Sequence, residues 1–314
     1  MRLLMAFIRM IRLSNLLFIT LTQLLFQYCI ILPLFRSKDL SPVFSNTYLA
    51  FLVLSSVFIA AAGYIINDYF DVNIDQVNKP EMNVVDKIIS RRWAMLWHSV
   101  FSFTGVVLGF YIGYMLGIFW IGLMNFLCSV LLFVYSTTFK KRLLSGNIII
   151  SLLTAWVVGV LGLSTFYAIH YNPGNYPGVE ADKLLRFTFI YAAFAFIISL
   201  VRESIKDMED IQGDQKYGCR TMPIVWGIRA SKVYTSVWII VLLGSLIALT
   251  IYLMQYTWWG SLLYSLLLLI TPIFILLRNL FRAFNTKDFH NLSNLSKLIM
   301  LTGILSMIIF YFYL

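Results

Sequence analysis

Charge is scarce in this sequence. Of 314 residues only 12% are Asp, Glu, Lys or Arg, roughly half the share of a soluble domain. No stretch is polar enough to form a water-soluble domain of its own. Cysteine and histidine are rarer still. Cys29, Cys128 and Cys219 lie far apart and lack the spacing of a zinc site or a disulfide framework. His98, His170 and His290 are equally scattered and read as structural or interfacial residues. No low-complexity tract and no linker longer than a short polar loop divides the chain, so a single domain over residues 1–314 is expected.

What fills the sequence instead is hydrocarbon: 60% of the residues are hydrophobic. Apolar runs of about 20 residues recur, each long enough to cross a hydrocarbon layer of ~30 Å. Polar breaks divide them into spans at 13–35, 47–66, 93–115, 118–136, 147–169, 185–203, 231–253, 258–279 and 295–313. The expected fold is all-α, a polytopic membrane bundle of about nine transmembrane helices. The first run follows Arg2, Arg9 and Arg12, like the charged start of a signal peptide. Its far end, Ile31-Leu32-Pro33-Leu34-Phe35, has no small-x-small cleavage site, so a retained helix is expected.

Basic residues orient the spans. With the N-terminus inside, 20 of the 24 Lys and Arg fall on inner segments, and only Arg36, Lys38, Lys183 and Arg186 lie outside. The formal charge of +10 therefore reflects topology and contact with anionic lipid headgroups, with no need for nucleic acid as a partner. The expectation is an integral, multi-pass protein of a bacterial or archaeal cell membrane with a cytoplasmic N-terminus.

Acidic residues are the rarest charged type and the most unevenly placed. Ten of the 14 fall in two windows, Asp68 to Asp86 and Glu203 to Asp214, at inner ends of the second and sixth spans. Asp68, Asp71 and Asp75 are three and then four residues apart, and so are Asp207, Asp210 and Asp214. On a helix either triplet forms one stripe. Stacked carboxylates repel one another, so two such stripes at one membrane depth make sense with cations between them. Mg²⁺ takes hard oxygen ligands and leaves positions open for phosphate. An exposed acidic helix end is the ordinary reading of one cluster alone; the matched spacing of two weakens it. Lys79, Arg202, Lys206, Lys216 and Arg220 flank the stripes and could donate to a diphosphate. Lys140, in the short inner segment Thr138–Asn147, is either a topological anchor or a further substrate contact.

These residues resemble the UbiA-type superfamily of intramembrane prenyltransferases. Asn67, Asp68, Asp71 and Asp75 match its first motif, Asn-Asp-x-x-Asp-x-x-x-Asp. Lys206, Asp207, Asp210 and Asp214 match its second. The resemblance implies Mg²⁺ held by Asn67 and the six aspartates, a polyprenyl diphosphate donor, and a lipid or aromatic acceptor that captures the allylic cation at the cytoplasmic face. The pattern REsiKDmEDiqGD, from Arg202 to Asp214, is most similar to the branch that prenylates geranylgeranylglyceryl phosphate. The branches with 4-hydroxybenzoate or naphthoate acceptors come second. One departure stands out: the family's Arg-Pro and later Ser-Gly-Arg are represented by Lys79-Pro80 and, loosely, Ser90-Arg91. A cation or substrate transporter is the competing class, since intramembrane carboxylates often mark ion paths. Its weakness is that the acids gather at one face.

Overall fold

The computed structural model describes residues 2–78, 84–256 and 258–314. A short amphipathic helix, α1 (Arg2–Met10), precedes nine helices long and apolar enough to cross a membrane among the described residues. They are α2 (Leu13–Arg36), α3 (Asn46–Asn78), α4 (Arg91–Met115), α5 (Trp120–Thr137), α6 (Ser145–Tyr171), α7 (Ala181–Glu209), α10 (Gly227–Met254), α11 (Trp259–Arg282) and α12 (Thr286–Phe310). Two short helices, α8 (Ile211–Lys216) and α9 (Met222–Val225), lie between α7 and α10. The described residues contain no strand beyond one isolated bridge, Val85 to Ile89. The chain is thus the all-α, nine-span bundle expected from its apolar runs.

Two spans run longer than hydropathy alone suggests. The apolar text of the second ends near residue 66, yet α3 continues to Asn78; that of the sixth ends near 203, yet α7 continues to Glu209. The polar ends stay helical because one face remains apolar. Ile65, Ile66, Val72 and Ile74 are buried on α3, and Val201, Ile205 and Met208 on α7. Asp68, Asp71 and Asp75 therefore sit on α3, and Asp207 on α7, as helical continuations of the spans.

Packing is pairwise along the chain, α3 against α4 and α6 against α7, with α12 and α10 closing on α7. Where lipid removes the hydrophobic drive between helices, polar side chains and small residues supply the contacts. Ser55 of α3 donates to the Gly105 carbonyl of α4 and accepts from Asn125 Nδ2 of α5 at 2.8 Å. Gln23 of α2 reaches both Ser56 of α3 (3.0 Å) and the Val157 carbonyl of α6 (3.1 Å). The largest apolar cluster, with Phe26, Phe35, Phe44 and Leu184, fills the end of the bundle away from the aspartates. A smaller one with Ala6, Met10, Ile65 and Val85 seals α1 onto α3 and α4.

Candidate active site at the acidic helix ends

On α3 the first motif is a continuous helical stripe. Asp71 is 1% exposed, and its Oδ2 accepts from Asn67 Nδ2 at 2.7 Å. The same oxygen is ion-paired with Lys140, from the single turn Phe139–Lys141 between α5 and α6. Asp71 Oδ1 is buried and accepts no hydrogen bond among the described residues. Lys140, open in the sequence reading between anchor and site residue, is thus directed into the stripe.

Arg12 closes the stripe from the N-terminal side. It joins α1 to α2 in the left-handed region, at φ 51°, which costs a non-glycine residue about 1–2 kcal/mol. In that conformation its guanidinium meets Asp68 Oδ1 at 2.8 Å and lies 5.0 Å from the centre of the Tyr64 ring. Burial by itself would lower the pKa values of Arg12 and Lys140. The carboxylates that face them, Asp68 and Asp71, more than offset it, and both cations are held above their ordinary values.

The second triplet departs from the expected single face. Asp207 is on α7, Asp210 is the break after Glu209 at φ −94°, ψ 9°, and Asp214 is on α8, so no one helix carries all three. The cause is a side chain from the other motif. In an unbroken helix the Gly213 N–H would donate to the carbonyl of Glu209. Here it donates to Asn78 Oδ1 at 2.8 Å, while Asn78 Nδ2 donates to the Asp210 carbonyl at 3.0 Å. Gly213 is required by this approach: a Cβ there would lie 2.5 Å from Asn78 Oδ1. Asp207 Oδ2 accepts from Asn147 Nδ2 of α6 at 2.8 Å, and Asp214 is buried.

The flanking cations divide into groups. Arg202 and Lys206 share one carboxylate, Glu203, at 2.9 and 3.3 Å, and Arg202 Nε is buried with no hydrogen-bond partner among the described residues. Lys216 and Arg220 are exposed, Lys216 over the Tyr217 ring and Arg220 bound through its backbone N–H to the Lys141 carbonyl. Lys79 lies outside the described residues. Arg91, the loose counterpart of a family arginine, pairs with Asp86 at 2.6 Å beside Tyr69.

The donor set suits Mg²⁺ that is shared with a phosphate. Its oxygens are hard, and one of them, Asp71 Oδ1, is buried without a donor. No three His, Cys, Asp or Glu among the described residues form a metal-holding group on their own. Part of a Mg²⁺ coordination shell here would come from water or from a bound phosphate.

Sequence reasoning missed three of these residues as site components. The sequence reading gives Arg12 only as part of the charged start of the first span and Asn147 only as the end of an inner segment, and it does not single out Asn78. Their partners are 56, 60 and 135 positions away, and no local spacing signals contacts that distant.

Nine described helices long and apolar enough to cross a membrane, two of them ending in acidic segments joined through Asn78, define a polytopic helical membrane protein with its carboxylates gathered at one end. Residues 38–312 match the model of the UbiA prenyltransferase family, and the chain belongs to that family. It is accordingly an integral membrane prenyltransferase. Over 227 residues it is 32% identical to the digeranylgeranylglyceryl phosphate synthase of Methanothermobacter thermautotrophicus, spanning 71% of this chain and 72% of that protein. The synthase of the same name from Thermococcus kodakarensis is 35% identical over 57% of each chain. Among solved structures, one of digeranylgeranylglyceryl phosphate synthase in membranes aligns over 100% of both chains with TM-score 0.62 and 22% identity. A UbiA homologue from Archaeoglobus fulgidus bound to DMAPP and Mg²⁺ aligns over 96% of this chain and 98% of that one, with TM-score 0.56 and 15% identity. These structural likenesses speak for the fold.

Proposed function

We propose that the protein transfers a prenyl group from a polyprenyl diphosphate to a lipid acceptor of the geranylgeranylglyceryl phosphate type, as a single domain over residues 1–314. The observation that carries this reading is the Asn78 bridge, which brings Asp210 and Gly213 of the second motif against the end of the first. Asn67, Asp68, Asp71 and Asp75 form one wall of the site, and Asp207, Asp210 and Asp214 the other. These carboxylates would hold Mg²⁺, which when bound would supply positive charge to a departing diphosphate. The names of the relatives support the acceptor, and the Mg²⁺-bound neighbour supports the metal. The positive-inside distribution supports a cytoplasmic site.

Within the chain, Lys140 and Arg12 stand in for metal charge at Asp71 and Asp68 until substrate arrives. They then turn to the non-bridging oxygens of the diphosphate, with Arg202 and Lys206 behind them. Lys79, Lys216 and Arg220 provide further cations. Tyr64 presents its ring next to Arg12, where an aromatic face can stabilise the allylic cation. Tyr135 packs with its ring 3.2 Å from where a Gly146 Cβ would stand, at the turn that carries Lys140. Tyr191 is placed elsewhere, bonded to Ser306 at the opposite end of the bundle.

The test uses the full chain in vesicles with labelled geranylgeranyl diphosphate, Mg²⁺, and either geranylgeranylglyceryl phosphate or 4-hydroxybenzoate. Transfer to the glyceryl phosphate lipid, lost in Asp68→Ala and Asp207→Ala, is the expected result. Variants that turn over like wild type would overturn the site, and transfer to the aromatic acid alone would overturn the acceptor.

A further inference from the structure

A cavity of about 780 Å³ opens at the end of the bundle opposite the aspartates, between α7, α10, α11 and α12. Its innermost wall includes Phe194, and from there to Asp207 is roughly 20 Å along the α7 axis at 1.5 Å per residue. The cavity is thus separate from the acidic helix ends, and its size is that of a ligand pocket, typically about 300–1,000 Å³.

Its wall is built for hydrocarbon. Phe187, Ile190, Leu246, Leu253 and Phe310 line it. Most of the hydroxyls that also face it are spent on neighbouring atoms: Thr250 on Ser265 at 2.8 Å, Tyr191 on Ser306 at 3.0 Å, and Tyr264 on the Thr302 carbonyl at 2.7 Å. A polar guest would find few free partners inside, and burying its polar groups unpaired costs free energy. The floor is closed by the Phe194 ring, which lies so close over Gly303 that a Cβ there would meet it at 2.2 Å. One wall is a π-helical turn, Ser265–Ile270, a distortion of α11 that occurs disproportionately at functional sites.

The rim is charged. Glu180, Asp182, Lys183 and Arg186 line it, the last two being half of the four basic residues that the topology places at this end. Lys183 is 3.8 Å from Glu180, and Asp182 occupies the first turn of α7, where an acid suits the helix dipole. Arg186, one turn deeper and exposed, has no carboxylate within ion-pair distance among the described residues. A hydrocarbon-lined chamber beneath an uncommitted arginine is complementary to an amphiphile with an anionic head.

We infer that this cavity is a lipid-binding site, distinct from the prenyl-transfer site, that takes one chain of a phospholipid between α7, α10 and α11 with its phosphate at Lys183 and Arg186. The inference rests on the cavity and its rim alone and is independent of the acceptor proposed above. The full chain would be placed in phosphatidylcholine vesicles doped with phosphatidylglycerol carrying a photoactivatable acyl chain, then illuminated, digested and mapped by mass spectrometry. Label should concentrate on the α7 and α10 segments that line the cavity. Lys183→Ala and Arg186→Ala should each lower it about fivefold, the loss expected for one basic contact with an anionic lipid. Leu246→Trp, which fills the chamber, should remove label there and leave that on the lipid-facing α5 unchanged. The two rim variants alter exposed or half-exposed side chains and keep the test decisive if Leu246→Trp does not fold. Label spread evenly over the outer helices, insensitivity to all three variants, or displacement by excess geranylgeranyl diphosphate would overturn the inference, the last by making the chamber a substrate compartment.

Discussion

The carboxamide of Asn78 is bonded on both sides to the second acidic motif: Gly213 N–H donates to its Oδ1 at 2.8 Å, and its Nδ2 donates to the Asp210 carbonyl at 3.0 Å. One side chain thereby ends α7, starts α8 and fixes the spacing between two helices that each carry aspartates. Asn78→Ala should remove both bonds and uncouple the motifs. A net loss of about 1–3 kcal/mol is expected in thermal unfolding, with a larger effect on turnover than on donor binding, because the two halves of the site must coincide only for reaction. Gly213→Ala, which places a methyl group against Asn78, should have the same phenotype. A variant of either kind with wild-type kcat and KM would show that the bridge positions nothing.

The Lys140–Asp71 pair predicts a pattern across three variants. Asp71 is fully buried, so Lys140→Met leaves a carboxylate without its cation and should cost about 3–5 kcal/mol. Lys140→Met combined with Asp71→Asn removes both charges and should recover most of the unfolding temperature. Activity should stay lost in the double variant. If restored stability brought restored prenyl transfer, Lys140 and Asp71 would be a structural pair only.

Arg12 allows strain and charge to be separated. Its left-handed backbone is costly for any residue with a Cβ and free for glycine. Arg12→Gly should therefore be about 1 kcal/mol more stable than Arg12→Ala in unfolding measurements. Both should weaken binding of the prenyl diphosphate to the same degree, since both lose the guanidinium that faces Asp68. Equal stability of the two variants would count against strain at this junction.

Divalent-metal removal should stop turnover and leave the bundle folded, because the carboxylates already have protein partners that need no metal: Arg12 for Asp68, Lys140 for Asp71 and Asn147 for Asp207. Chelation followed by graded return of Mg²⁺ should restore activity. Asn147→Ala, which removes the donor that Asn147 Nδ2 supplies to Asp207 Oδ2, should shift the Mg²⁺ concentration needed for half-maximal rate without abolishing the reaction. An unchanged Mg²⁺ dependence would mean that Asn147 does not orient Asp207 toward the metal.

Much of the site was legible in the chain because its chemistry is periodic. Three-then-four spacing marks carboxylates on one face of a helix, and that holds for Asp68, Asp71 and Asp75 on α3. It fails for Asp207, Asp210 and Asp214, since periodicity assumes an unbroken helix and Asn78 breaks it from outside. Lys140 was ambiguous for a related reason: a Lys-Lys-Arg loop is a topological signal in any membrane protein, and only the turn Phe139–Lys141 aims one of its three cations at Asp71.

Composition and hydropathy by themselves determined that this chain is an α-helical bundle, with nine spans among the described residues, because hydrocarbon admits only helices and closed barrels, and apolar runs of about 20 residues are twice the length of a barrel strand. The two motifs determined which residues carry charge into that bundle. The tertiary structure decided how the charges are partnered. Arg12 with Asp68, Lys140 with Asp71, Asn147 with Asp207, and Asn78 with Asp210 and Gly213 are all contacts between different helices or loops. Helix packing sets those distances. The tertiary structure also decided that a second chamber exists, since its wall comes from four helices that no single segment of sequence brings together.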